Sequence, residues 1–294
     1  MNLTIDTQGF RFDGKEKLDL KQCANQIEPM YESKKKYRKL LEEFQEEINE
    51  LQNMMYAHDR YSMLLIFQAM DAAGKDGTIQ KVMSGINPHG VSVNAFKKPS
   101  DEELDHDFLW RTTKVLPRRG TIGIFNRSYY EEVLVVKVHP KILTNYQQLP
   151  ADLVEDPDKV WPQRYEDIRN FETYLSRNGT KVVKFFLNLS KDEQKDRFLA
   201  RIDTQEKNWK FSEADVKERG YWDEYQNAYE DAINATASKE APWYVIPADN
   251  KKNMRLIVAQ VILEQLHEMK MHYPVVSDER RAELQEIRKQ LADS

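Results

Sequence analysis

A mainly parallel α/β sheet covered by helices on both faces is the fold class this sequence predicts. Three observations predict it. Short apolar runs alternate with segments of helical periodicity, the first of those runs breaks into a small-residue loop carrying a lysine, and no repeat or low-complexity linker divides the 294 residues. The strand candidates are Met63–Phe67, Val91–Phe96, Thr121–Phe125, Val182–Leu189 and Trp243–Ile246. Helix-period segments separate most of them: Ile79–Gly85, Glu102–Lys114, Tyr129–Val138, Arg164–Ser176 and the stretch from Lys191 to Ala235. In sheets of this kind ligands bind at the carboxyl ends of the strands.

Residues 1–30 show no period and read as irregular. From Ser33 to His58, Tyr37, Leu41, Phe44, Ile48, Leu51 and Met55 recur at spacings of four and three, which places them on one face of a helix. The pattern lasts only about three heptads, so it favours packing on its own domain over a dimerising coiled coil. The chain closes with a helix over Met254–Met271, then Pro274, then a highly charged helix over Ser277–Ala292. The expected organisation is an N-terminal extension over 1–60, a core over 61–272 with a lid at about 190–225, and a charged C-terminal helix over 273–294.

Charged residues make up 32% of the chain and the net charge is −5, which excludes a molecule built as a polycation for nucleic acid. Any polyanion must meet a local basic patch. The single cysteine, Cys23, excludes an internal disulfide, and the polar start lacks the basic and apolar regions of a signal peptide. No apolar run approaches the ~20 residues of a membrane span. A reducing, cytoplasmic location without membrane attachment is the expectation.

The richest stretch runs from Met63 through Asp71-Ala72-Ala73-Gly74-Lys75-Asp76-Gly77-Thr78. It reads as a phosphate-binding loop, in which backbone N–H groups cradle phosphate oxygens and a lysine adds positive charge. Ala69 stands at the first glycine of the usual pattern and Asp76 at the hydroxyl residue. Asp71 adds a carboxylate that phosphate would repel, and a bound Mg²⁺ resolves that conflict.

A second constellation follows the third strand, where Phe125-Asn126-Arg127 ends an apolar run. An acid is usual at such a position, and here it is Asn126. Arg127 beside it brings a guanidinium whose planar fork suits a phosphoryl group. From Phe108 to Tyr130 the chain carries Arg111, Lys114, Arg118, Arg119 and Arg127 with no acid, and Lys97 and Lys98 extend this patch. A solvated turn at Pro117–Gly120 accounts for at least one of Arg118 and Arg119. The third constellation, Ser190 to Lys210, places Arg197 and Arg201 four apart on one helical face among Lys195, Lys207 and Lys210, as a mobile lid over a phosphoryl group would. Two E-x-x-H pairs, Glu103 with His106 and Glu264 with His267, have di-iron spacing, but the strand alternation contradicts the helical bundle such a site needs.

Taken in order, Met70-Asp71-Ala-Ala-Gly74-Lys75-Asp-Gly77-Thr78, Phe125-Asn126-Arg127-Ser128-Tyr129-Tyr130, Trp209-Lys210-Phe-Ser, Tyr221-Trp222-Asp223-Glu-Tyr225 and Ala241-Pro242-Trp243 through Lys251 resemble the polyphosphate kinase 2 family. The resemblance runs from about Ser33 to Tyr273. It implies a P-loop kinase core akin to thymidylate kinase with a helical lid, and Mg²⁺, with Mn²⁺ as a substitute. The implied reaction is transfer of phosphoryl groups between inorganic polyphosphate and adenine nucleotides, guanine nucleotides being the second candidate. It also implies that Asp71, Lys75 and Arg127 lie in the active site, with Arg197 and Arg201 at lid positions. The stretch Ser128 to Pro140, with Glu131 and His139, resembles the class that phosphorylates both AMP and ADP, class III. Asn126, where many members carry aspartate, leaves the direct metal ligands open.

The physical reading gives Asp71 the metal. It gives Glu131 either the acceptor, through water or Mg²⁺, or a favourable charge at a helix start. Phosphate contacts are expected from Ala72, Ala73, Gly74, Asp76, Gly77, Thr78, Lys97, Lys98, Arg111 and Arg118, and lid contacts from Arg197, Arg201 and Lys210. A homo-oligomer, dimer or tetramer, is expected. An ATP-dependent nucleoside monophosphate kinase is the alternative. It needs two nucleotide pockets, whereas Lys97, Lys98, Arg111, Lys114 and Arg118 favour one pocket with a basic groove. Lys75, Asp71 and Arg127 together argue against a non-catalytic nucleotide-binding regulator.

Overall fold

Six strands form one sheet in the order β1-β6-β5-β2-β4-β3: β1 Arg11–Phe12, β2 Ser62–Gln68, β3 Val91–Ala95, β4 Ile122–Asn126, β5 Thr180–Asn188 and β6 Trp243–Pro247. The computed structural model describes residues 5–294, apart from the side chains of Lys207 and Lys210. All pairings are parallel except β1 with β6. The parallel α/β expectation holds. The segment expected to be irregular differs from it over residues 5–30, residues 1–4 lying outside the described residues, in contributing β1, a two-residue strand too short to show a period.

The register levels the strand ends that matter. Asn126 stands opposite both Phe67 and Ala95, and Gln68 stands opposite Phe186. The carboxyl ends of β2, β4 and β3 therefore form one continuous edge, with β4 at its centre.

Side chains alternate across the pleat and feed two cores. Met63, Leu65 and Phe67 pack under α1 (Lys34–His58) and the helix α7 (Lys251–Glu268), while Leu64 and Ile66 pack with Tyr129, Tyr130, Ile168 and Tyr229 on the opposite face. The predicted stripe of α1 is buried at Tyr37, Leu41, Phe44, Ile48 and Met55, and Leu51 is partly buried. The first core also takes α2 (Lys75–Val82), and the second takes α3 (Pro157–Arg177) and α6 (Trp222–Thr236); α4 (Lys191–Ile202) and α5 (Glu213–Arg219) lie between α3 and α6 in the chain, and α8 (Asp278–Ala292) follows α7 and buries no residue.

Several helices depart from their expected bounds for local reasons. Glu102–Lys114 is two short helices, Asp101–Leu104 and Trp110–Thr113. The Ser100–Glu103 capping box starts the first, and the Asp107 carboxylate accepts the Leu109 N–H before the second. Tyr129–Val138 is a 3₁₀ turn over Tyr129–Val133 and a short helix over Val135–Val138, broken at Leu134. Helix α3 begins at Pro157 rather than at Arg164, because the Asp156 side chain caps it and Pro157 occupies a first-turn position that has no N–H to satisfy. Helices Lys141–Tyr146 and Ala151–Val154 form where no period was read.

One buried polar network fastens the turn after β4. Lys184 of β5 is fully buried and donates to Glu172 at 2.5 Å, to Tyr130 Oη at 3.1 Å and to the Thr236 carbonyl at 2.9 Å. Tyr129 and Tyr130 both donate to Glu172, and the Trp243 indole donates to Thr236. Every member is paired, so the network rigidifies the residues that follow Arg127.

Candidate active site

The phosphate-loop reading requires a sharp turn from β2 into α2, and the backbone makes one. Ala72 and Gly74 adopt left-handed conformations, with φ of 64° and 102°, and Gly74 caps α2. A φ of 102° suits glycine alone among the common residues. The turn sets the first residues of α2, whose N–H groups have no intrahelical partner, along a cleft of about 720 Å³.

That cleft brings together Asp71, Ala72, Ala73, Gly74, Lys75, Asp76 and Gly77 from the loop, Lys97 and Lys98 beyond β3, Asn126 and Arg127 at the end of β4, and Arg197 and Arg201 from α4. Its charged groups are already in register. Arg127 Nη2 donates to Asp71 Oδ1 at 3.0 Å, and Arg127 Nη1 lies 3.8 Å from Glu131 Oε2. Glu131 and Asp71 hold the guanidinium above its ordinary range, against the opposing effect of burial. Arg127 has a φ of 64°, and its N–H bonds the Phe67 carbonyl at 3.0 Å. The left-handed step turns the chain back over the end of β2, and the tyrosine network behind it holds that strained conformation in place.

Lys75 folds onto its own loop, donating from Nζ to the Ala69 carbonyl at 2.8 Å. Burial, and then the Arg127 charge, push its ammonium below the usual lysine range. Asn126 Nδ2 donates to Asp76 Oδ1 at 2.6 Å, so an amide and a carboxylate replace the usual acid and hydroxyl.

The donor set fits a magnesium ion that also binds substrate phosphates. Among the described residues no three His, Cys, Asp or Glu side chains cluster closely enough to hold a metal alone. Asp71 projects into the cleft with 30% of its side chain exposed, and one or two carboxylates completed by phosphate oxygens and water are the ordinary Mg²⁺ arrangement.

Several expected contacts are corrected by their surroundings. Thr78 is buried, with its hydroxyl toward Met254 Sδ and not toward the cleft. Arg111 is buried too, donating to the Lys97 carbonyl at 2.8 Å and lying 4.0 Å from Glu132, so it supports the Lys97 segment from below. Arg118 precedes β4 and is exposed at the amino end of the strands, opposite the cleft, and neighbouring Arg119 bonds the Arg60 carbonyl there. The side chain of Lys210 lies outside the described residues. Lys114 stacks over Trp110 rather than joining a groove.

The two arginines expected on a lid differ from one another. Arg201 of α4 lies 3.6 Å from Asp215 of α5. Arg197 is buried and does not present a free guanidinium to a phosphate. It donates to the Ala72 and Ala73 carbonyls at 3.1 and 2.8 Å, to those of Ala248 and Asp249 at 2.7 and 3.0 Å, and to Glu193. It therefore clamps the phosphate loop against the segment after β6. Arg197→Ala is expected to lower kcat about 10²-fold, because loop misplacement of an ångström has that effect, with Arg201→Ala causing a smaller loss. Steady-state kinetics on both variants checks this, and equal losses, or losses confined to KM, would contradict the clamp.

Asp215 lines the cleft and escaped the sequence reading, which searched the lid for bases, and Trp209, quoted there only as part of a motif, lines it too. Burial and the nearby Asp71 raise the Asp215 carboxyl. Gln68, the last residue of β2, escaped as well, because it looked like the end of an apolar run.

With this geometry in hand, the likeness to known proteins is specific. The family model described as "Polyphosphate kinase 2 (PPK2)" matches residues 31–274. An ADP-polyphosphate phosphotransferase of Rhodopseudomonas palustris is 55% identical over 290 residues, covering 98% of this chain and 99% of that protein. An AMP/ADP-polyphosphate phosphotransferase of Meiothermus ruber is 45% identical over 227 residues, covering 77% and 80%. The crystal structure of polyphosphate kinase 2 from Arthrobacter aurescens superposes with a TM-score of 0.84 at 37% identity, covering 98% of this chain and 96% of that one. On the match of family model, relatives and structure, with the turn from β2 into α2, the arginine after β4 and the residues of α4 and α5 gathered around one cleft, the chain belongs to the polyphosphate kinase 2 family.

Proposed function

We propose that this enzyme transfers phosphoryl groups reversibly from inorganic polyphosphate to AMP and ADP, giving ADP and ATP, with Mg²⁺ held at Asp71 and Mn²⁺ as a substitute. The observation that carries the reading is the convergence of Lys75, Arg127 and Asp71 beside the loop amides in one cleft. The names of the relatives support the donor and the acceptors. The basic groove supports the donor less than the sequence suggested, since of its five bases only Lys97 and Lys98 line the cleft.

Phosphoryl transfer asks the protein for positioning and charge neutralisation more than for covalent chemistry. An oxygen of the acceptor's terminal phosphate bonds to the terminal phosphorus of polyphosphate as the bridging P–O bond breaks, and the shortened chain leaves with the bridging oxygen. The loop amides hold the non-bridging oxygens, and Lys75 exchanges the Ala69 carbonyl for phosphate. Arg127 presents its fork to the transferring group, while Lys97 and Lys98 hold the polyanion. Mg²⁺, when bound, neutralises phosphate charge. The acceptor oxygen is already anionic near pH 7, so no general base is needed.

Glu131 sets the acceptor range. Ser128, not Glu131, caps the turn, accepting from the Tyr130 N–H at 3.1 Å, and the Glu131 carboxylate points instead toward Gln68 and Arg127. On this reading it holds AMP within reach of the transfer point. Glu131→Asn is expected to depress the AMP step more than the ADP step when each is followed separately with polyphosphate, and parallel loss would reject this role. A cytoplasmic homo-oligomer completes the proposal. No described helix is long and apolar enough to cross a membrane, and exposed Leu284, Ile287 and Leu291 on α8 offer apolar surface to a second copy.

A further inference from the structure

Gln68 is a polar residue at the end of an otherwise apolar, fully buried strand, and it is 0% exposed itself. Its side chain lies on the face of the sheet that carries Leu64 and Ile66, toward the turn after β4. There Nε2 donates to Glu131 Oε1 at 2.9 Å. A carboxylate acceptor decides which way the amide faces, because the alternative orientation would oppose two oxygens. That leaves Oε1 pointing away from Glu131, buried, with no partner among the described residues. Half of the amide is satisfied and half is not. For stability alone an apolar side chain would serve this position better, since an unpaired buried acceptor is costly. Folding therefore does not account for Gln68, and its one hydrogen bond does.

Among the described residues, two side chains meet the Glu131 carboxylate at close range. Gln68 takes Oε1 from beneath the loop, and Arg127 lies 3.8 Å from Oε2 on the cleft side. The Arg127 contact is longer than a hydrogen bond and belongs to a guanidinium engaged with Asp71. The 2.9 Å amide bond is thus the contact that sets the direction of the carboxylate. We propose that Gln68 is a positioning residue that aims Glu131 at the acceptor and so sets the balance between AMP and ADP as substrates. This rests on the acceptor role given to Glu131 above.

The test uses the full-length enzyme with polyphosphate and Mg²⁺, measuring kcat and KM for AMP and for ADP separately in Gln68→Met, Glu131→Gln and the double variant. Gln68→Met removes the donor while keeping an unbranched side chain of similar length. It is expected to lower kcat/KM for AMP about tenfold, the worth of one hydrogen bond, mainly through KM. The ADP value should stay within twofold. In the Glu131→Gln background the same change should add less than twofold, because the residue it aims is already altered. Gln68→Glu, which places a second carboxylate against Glu131, should shift the AMP-to-ADP ratio further in the same direction, and it serves as the reporter if Gln68→Met does not fold.

Equal losses for AMP and ADP in Gln68→Met, or an undiminished effect of that change in the Glu131→Gln background, would overturn the inference. A Glu131→Gln variant that loses both acceptors equally would reject the acceptor role of Glu131. A less-than-additive double variant would then still show that Gln68 acts through Glu131, while the claim on the AMP-to-ADP balance would fall with the acceptor role, so the two failures are distinguishable.

Discussion

Lys75→Met is expected to abolish turnover, with kcat/KM falling about 10³-fold, while the protein stays folded. Removing one preorganised donor to a developing charge produces losses of that order, and methionine can neither donate nor carry charge. The fold should tolerate the change because, among the described residues, the ammonium donates to the Ala69 carbonyl alone, and because burial and Arg127 oppose its charge. Kinetics paired with a thermal melt checks both halves. Retained activity would remove the phosphate-loop assignment, and loss of fold would make Lys75 structural.

Asp71→Asn is expected to lower the rate about 10²-fold and to raise the Mg²⁺ concentration needed for half-maximal activity. Asp71 has two tasks in this geometry, since Oδ1 accepts from Arg127 at 3.0 Å while the side chain remains open to the cleft. Asparagine retains an acceptor for Arg127 but loses the charge that a hard cation requires. Titrating Mg²⁺ at saturating substrate separates the two tasks. An unchanged metal dependence with a reduced rate would assign Asp71 to orienting Arg127 and place the metal elsewhere.

How much of this was legible in the sequence depended on whether a residue's role was local. The strand-loop-helix unit from Met63 to Val82 reads from adjacent residues, because an apolar run, left-handed positions and a helix start are each short-range signals. Arg127 was legible for the same reason, as a guanidinium at a strand end. The failures concern groups whose partners are distant in sequence. Arg197 and Arg111 look like free bases on their own helices, but their donors meet the carbonyls of Ala72 and Ala73 and of Lys97, which only the folded chain brings near. Gln68 was hidden by its strand, and only the neighbouring turn gives it meaning. Arg118 was misplaced because it was grouped with its neighbours by charge, although its position before β4 already sets it at the amino end of that strand.

The central claim is that polyphosphate is the phosphoryl donor and AMP an acceptor. Purified protein, long-chain polyphosphate, Mg²⁺ and AMP, with no ATP added, tests it when the nucleotides are resolved over time. The account predicts that ADP appears first and ATP follows, with polyphosphate shortened in step. No nucleotide product from polyphosphate, together with AMP phosphorylation once ATP is supplied as donor, would contradict it and identify a nucleoside monophosphate kinase instead.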